Sequence, residues 1–145
     1  GADAVQVFDS WSSVLDDAAF DECCIKPVRR LVDRVKAARP NAKIIGFPKG
    51  CGSLYKDYRS KTGIDCLGLD WSLSWEFAKD LQKEGPVQGN LDPMRLLVGG
   101  DALKEGVERV LENLGSGPLI FNLGHGITPQ VPMDHVQDLM NLVRG

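Results

Sequence analysis

Five short apolar runs, each followed by a stretch with helical periodicity, constrain this chain more than any other feature. The runs are Ala4–Phe8, Ala42–Phe47, Asp65–Leu69, Pro86–Gly89 and Leu119–Asn122. Each has the length of a buried strand and ends at glycine, proline or a polar residue. Between them the apolar positions fall on helical spacing. Val28, Leu31, Val32 and Val35 form one stripe, with Pro27 suited to a first helical position and Pro40 closing the helix. Ser53 is positioned to cap a short helix through Tyr58, and Ser74 begins another whose inner face is Phe77, Ala78 and Leu81. Asp101 is the expected cap of a helix carrying Leu103, Val107, Val110, Leu111 and Leu114, with Gly115 ending it. Val136, Leu139, Met140 and Val143 mark the last helix. Strand then helix, repeated in this way, means parallel strands joined by crossover helices. The spacing predicts strands at about residues 4–9, 43–47, 65–70, 86–90 and 119–122.

Two architectures satisfy that alternation: an open doubly wound sheet, or part of an eight-fold barrel. In both, ligands sit at the C-terminal ends of the strands. The polar residues collect there: Asp9-Ser10-Trp11, Lys49, Asp70-Trp71, Asn90 to Asp92, and His125. No Gly-x-Gly-x-x-Gly follows the first strand and no phosphate-binding loop of the Gly-Lys-Ser/Thr type occurs, which excludes the familiar nucleotide sites. At 145 residues, 43% of them hydrophobic and 26% charged, the chain suits one globular unit. A net charge of -3 gives no general attraction to nucleic acid or acidic lipid. No run reaches the ~20 apolar residues of a membrane helix. Gly1 to Val5 carry neither a basic region nor an apolar signal core. Cys23, Cys24, Cys51 and Cys66 contain no Cys-x-x-Cys pair, so they are expected to be reduced, small buried residues of a cytoplasmic protein.

Four segments carry a likeness to a known family: Gln6-Val7-Phe8-Asp9-Ser10-Trp11, Gly68-Leu69-Asp70-Trp71, Gln88-Gly89-Asn90-Leu91-Asp92-Pro93, and Asn122-Leu123-Gly124-His125-Gly126-Ile127 followed by Pro129. In this order and spacing they resemble the uroporphyrinogen decarboxylases. The resemblance implies an α/β fold, a single (β/α)8 TIM barrel, of which residues 1–145 supply the five C-terminal units. It implies decarboxylation of the acetate arms of uroporphyrinogen III to give coproporphyrinogen III in haem and chlorophyll biosynthesis, with no cofactor and no metal. It also implies a homodimer that pairs active-site faces. The first three units, with an arginine-rich substrate loop and a catalytic aspartate, lie outside these residues, so this segment alone is expected to be inactive.

The same resemblance makes His125 the catalytic and substrate-contacting candidate. Gly124 and Gly126 on either side are expected to let the backbone turn sharply and admit a ligand; the plainer alternative is a histidine bonded to a loop carbonyl. Ser10 is the small hydroxyl residue that donates to a substrate carboxylate, or else a turn or cap serine; no Gly-x-Ser-x-Gly elbow surrounds it. Phe8 joins it in the substrate site. Lys49 either attracts acetate and propionate arms or pairs with a nearby aspartate. Asp9, Asp70 and Asp92 resemble paired catalytic carboxylates, yet anions beside a polyanionic substrate repel it, and Asp before Trp or Pro commonly caps a turn. They are read as architecture. His135 is expected to be solvated or capping. A zinc-dependent corrinoid or thiol methyltransferase shares this barrel type but uses a His-x-Cys pair and a late cysteine. Here Gly126-Ile127 follow His125 and no cysteine follows Cys66. The remaining alternative is a non-catalytic fragment that binds the rest of its own barrel.

Overall fold

The computed structural model describes residues 1–145. Strands β1 (Ala4–Asp9), β2 (Lys43–Pro48), β3 (Cys66–Gly68), β4 (Val87–Leu91) and β5 (Leu119–Leu123) form one sheet in the order β1-β2-β3-β4-β5. Every neighbouring pair is parallel. The strands follow sequence order without a reversal, whereas a doubly wound sheet reverses its strand order at a switch point. The sheet is also rolled. Gln88 on β4 donates to Gln6 on β1 at 2.9 Å, although two strands lie between them and neighbours in a flat sheet are ~4.8 Å apart. Sequence-ordered parallel strands closing on their own concave face form an arc of a barrel.

Helices cover the convex face: α1 (Asp17–Phe20), α2 (Lys26–Ala38), α3 (Tyr55–Thr62), α4 (Trp75–Lys83), α5 (Pro93–Val98), α6 (Gly100–Leu114) and α7 (Met133–Arg144). One buried cluster joins Phe20, Val28, Val32, Ile44, Tyr55, Tyr58, Leu67, Leu81 and Val87 beneath α1 to α4. A second, of Leu91, Leu96, Leu103, Val107 and Val110, lies beneath α5 to α7. The inner strands β2, β3 and β4 are buried almost throughout, whereas β1 and β5 are largely open. No helix is long and apolar enough to cross a membrane.

Several local expectations need correction. Pro27 is the second residue of α2, close to the expected first position, but no free helix end precedes it. A π turn at Asp21–Ile25 links α1 directly to α2, and its wider turn accommodates a ring that lacks an N–H and crowds the preceding carbonyls. Ser53 caps nothing: it lies in a 3-10 turn, Gly52–Leu54, and α3 starts without a side-chain cap. Asp101 sits in the first turn of α6, and Gly99 holds the cap position. Ser74 does cap α4, accepting from the Phe77 N–H at 3.3 Å. Cys24, Cys51 and Cys66 are buried, but Cys23 is exposed. His135 takes the capping role at a helix other than its own: it is partly buried and meets a carbonyl in the last turn of α5. Its Nδ1 lies 2.9 Å from the Leu96 carbonyl oxygen, and its ring fills the space beside Gly99, where a Cβ would stand 2.4 Å away.

Candidate active site

The rolled sheet brings the two ends of the chain together. His125 follows β5, with its ring centroid 6.3 Å from that of Phe47 on β2. Phe8 on β1 meets the same Phe47 ring edge-on at 6.1 Å. These three rings, with Gln6, Gln88 and Asn122, line part of one cleft of about 540 Å³. The Gln6–Gln88 amide bond lies across its floor. Phe8 is 65% exposed, an unfavourable position for an aromatic ring unless something covers it.

His125 is exposed and its ring accepts or donates no hydrogen bond within the chain, so it is not bonded to a loop carbonyl. The chain does bend at Gly124 and His125, as expected for the flanking glycines, although neither glycine has a left-handed backbone. Gly124 is also needed because a Cβ there would stand 2.8 Å from the Trp71 nitrogen, while Gly126 faces open space. Close packing at Gly124 sets the His125 loop on the loop after β3.

Ser10 and Lys49 stand at the same end of the sheet but outside the lining of this cleft. Ser10 is partly buried. It lies in the turn after β1, as its plainer alternative held, and the neighbouring Ser12 hydroxyl donates to the Lys49 carbonyl at 2.8 Å. Lys49 makes no ion pair with any aspartate; its ammonium lies 5.5 Å from the centroid of the Trp71 ring. A lysine held over a tryptophan face keeps its charge available for a further anion.

The three aspartates are all engaged. Asp9 accepts from the Cys24 thiol at 2.8 Å. Burial first, then this carboxylate, push the Cys24 thiol up to about 12. Asp92 caps α5 by accepting from the Met94 N–H at 2.9 Å. Asp70 is buried and accepts from the Gly50 N–H at 2.6 Å, the Tyr55 hydroxyl at 2.7 Å, the Ser72 N–H at 2.8 Å and the Ser72 hydroxyl. Burial opposes its ionisation, but the four donors outweigh it and hold the carboxyl below the usual range. No group of three or more His, Cys, Asp or Glu side chains has a metal-binding arrangement.

Sequence reasoning did not single out Phe47, Gln6, Gln88 or Asn122 as lining residues. The available signal was a polar side chain at an alternate position inside an apolar run: Gln6 precedes Phe8 by two, and Gln88 precedes Asn90 by two.

Sequence-ordered parallel strands rolled into an arc, with helices packed outside and a cleft on the concave side, define a segment of a (β/α) barrel. The profile of the uroporphyrinogen decarboxylase (URO-D) family matches residues 1–145. Proteins named uroporphyrinogen decarboxylase from Brucella anthropi, Brucella canis and Brucella suis are each 62% identical to it over 145 residues, covering 100% of this chain. The chain belongs to the uroporphyrinogen decarboxylase family. It spans 42% of the length of those relatives.

Proposed function

We propose that this chain, within a complete barrel, forms the His125 side of a uroporphyrinogen decarboxylase active site. The chemistry needs no cofactor, because a pyrrole is its own electron sink. Protonation of a ring carbon beside an acetate arm gives a cationic ring. Breaking the bond to the carboxylate releases CO₂ and returns the electron pair to the ring. A proton then converts the resulting methylene to methyl and the ring proton is lost, so each acetate consumes one proton net. The protein's tasks are to hold a polycarboxylate, place a proton donor and stabilise the transient cation.

The observation that carries this reading is the convergence of Phe8 and His125, from opposite ends of the chain, on one cleft with the Gln6–Gln88 floor. Phe8 and Phe47 offer aromatic faces to pyrrole rings and to a developing cation. His125 contacts a pyrrole or carboxylate group. Ser10 donates to an acetate or propionate arm, and Lys49 attracts another. Trp11, Val14 and Ile127, in the segments following β1 and β5, and Met133, the first residue of α7, are exposed large apolar residues. Their exposure supports pairing of active-site faces in a cytoplasmic homodimer.

The test is turnover of uroporphyrinogen by a polypeptide of the relatives' full length. Replacing one charged hydrogen bond to substrate costs about 1.5–3 kcal/mol and a neutral one about 0.5–1.5. His125→Asn is therefore expected to slow decarboxylation more than Ser10→Ala, or to let partly decarboxylated intermediates accumulate. Normal rate and product distribution in His125→Asn removes His125 from the site.

A further inference from the structure

Lys49 and Trp71 stack on each other, and the residue following each is bound by the same buried carboxylate. One oxygen of Asp70 takes the Gly50 N–H and the Tyr55 hydroxyl; the other takes the Ser72 N–H and hydroxyl. A single side chain thus bridges the turn after β2 to the turn after β3. The main chain of Lys49 is fixed on its remaining sides as well. Its N–H donates to the Asp9 carbonyl at 2.9 Å, and its own carbonyl accepts from Ser12 at 2.8 Å. Asn90 on β4 donates to the Asp70 carbonyl at 3.3 Å, and Gly124 packs against the Trp71 backbone. Five strand ends therefore converge on Asp70 and its two neighbouring turns. What remains free is the Lys49 ammonium, which has no carboxylate partner.

We propose that Asp70 is a positioning residue whose buried carboxylate holds Lys49 against Trp71, so that the ammonium is presented to a substrate carboxylate at the mouth of the site. The inference rests on the decarboxylase reading. It assigns Asp70 no contact with substrate, since all its acceptor positions are filled from within the chain. Four donors to one buried carboxylate fix both turns in a way that a neutral amide does not reproduce. An asparagine places N–H groups where the carboxylate accepts, and these oppose at least one of the four donors.

The experiment is a double-mutant cycle in a polypeptide of the relatives' full length, with steady-state kinetics on uroporphyrinogen and tryptophan emission as separate readouts. Asp70→Asn is expected to raise KM on the order of tenfold, with a smaller change in kcat. In a Lys49→Met background the same substitution is expected to add little, because both changes remove one interaction. Equal fold-losses in the two backgrounds overturn the proposal. Asp70→Asn is also expected to alter the emission of the wild type but not of Trp71→Phe. An unchanged spectrum counts against the proposal whether or not turnover is seen, while an altered spectrum in a protein without decarboxylation sinks only the reaction reading. If Asp70→Asn does not fold, Tyr55→Phe removes one donor and leaves the carboxylate. It is expected to move KM and emission in the same directions by less, and no movement in either overturns the assignment.

Discussion

Tyr55 and Tyr58 lie on the same helix, each with 0% of its surface exposed, and their hydroxyls meet opposite circumstances. That of Tyr55 donates to Asp70 at 2.7 Å; that of Tyr58 is buried without a partner. Removing a hydroxyl bonded to a charged group costs about 1.5–3 kcal/mol, whereas an unmade buried hydrogen bond is itself a cost. Urea unfolding is expected to show Tyr55→Phe less stable by that amount and Tyr58→Phe unchanged or up to about 1 kcal/mol more stable. Loss of stability in Tyr58→Phe would mean its hydroxyl is bonded after all. Asp70 carries a pH signature. Its folded pKa is depressed, so it contributes stability above its unfolded value of about 3.9, and that contribution is lost as pH falls through the lower folded value. Asp70→Asn is expected to flatten the fall in stability below about pH 4. An acid-unfolding curve as steep as that of the wild type would assign that pH dependence to other carboxylates.

The two serines preceding helices separate sequence signal from structural role. Ser74 bonds the Phe77 N–H, and Ser53 bonds nothing at the start of α3. Thermal or urea unfolding is expected to show Ser74→Ala costing about 1 kcal/mol and Ser53→Ala less than about 0.5. The reverse order would exchange their assignments. The elements themselves were legible because strands buried on both faces read as unbroken apolar runs, as in Lys43–Pro48, and because Val28, Val32 and Val35 keep helical spacing. Caps were legible only in part: Ser74, Asp92 and Gly115 hold the expected positions, whereas Ser53 and Asp101 do not. Ser, Asp and Gly near a boundary compete for the residue where the backbone leaves helical geometry. Pro27 marked the start of α2, but the π turn that joins α2 to α1 has no signature in residue type. Candidate residues at strand ends were visible as Ser10, Lys49 and His125, with Asp70 read as architecture. Gln6, Phe47 and Gln88 were hidden inside strands, and only the curvature that sets Gln6 against Gln88 brings them to one cleft.

The sheet as a whole has two unpaired edges. Val5 on β1 is 46% exposed and Ile120 on β5 is 47% exposed, beside rows of strand N–H and carbonyl groups that have no neighbour. The isolated 145-residue polypeptide is accordingly expected to associate with itself or to bind an environment-sensitive apolar dye, and to show no decarboxylation. Sedimentation and dye fluorescence measure the first, and product analysis the second. A well-behaved monomer with ordinary turnover would contradict both expectations. Supplying the remaining units of the barrel is expected to suppress the association and restore activity. All the strand pairing in this sheet is between strands consecutive in sequence, so each pairing closes only the loop of its own crossover. The Gln6–Gln88 bond is different in kind: it spans 82 residues. It cannot form until four strands have docked and the sheet has bent, so its loop-closure entropy is met only near the end of folding. An interaction absent from the transition state governs how fast the native state comes apart and not how fast it forms. The amide pair on the cleft floor is thus a kinetic lock on the barrel's curvature, delaying escape from the folded state without hastening entry to it.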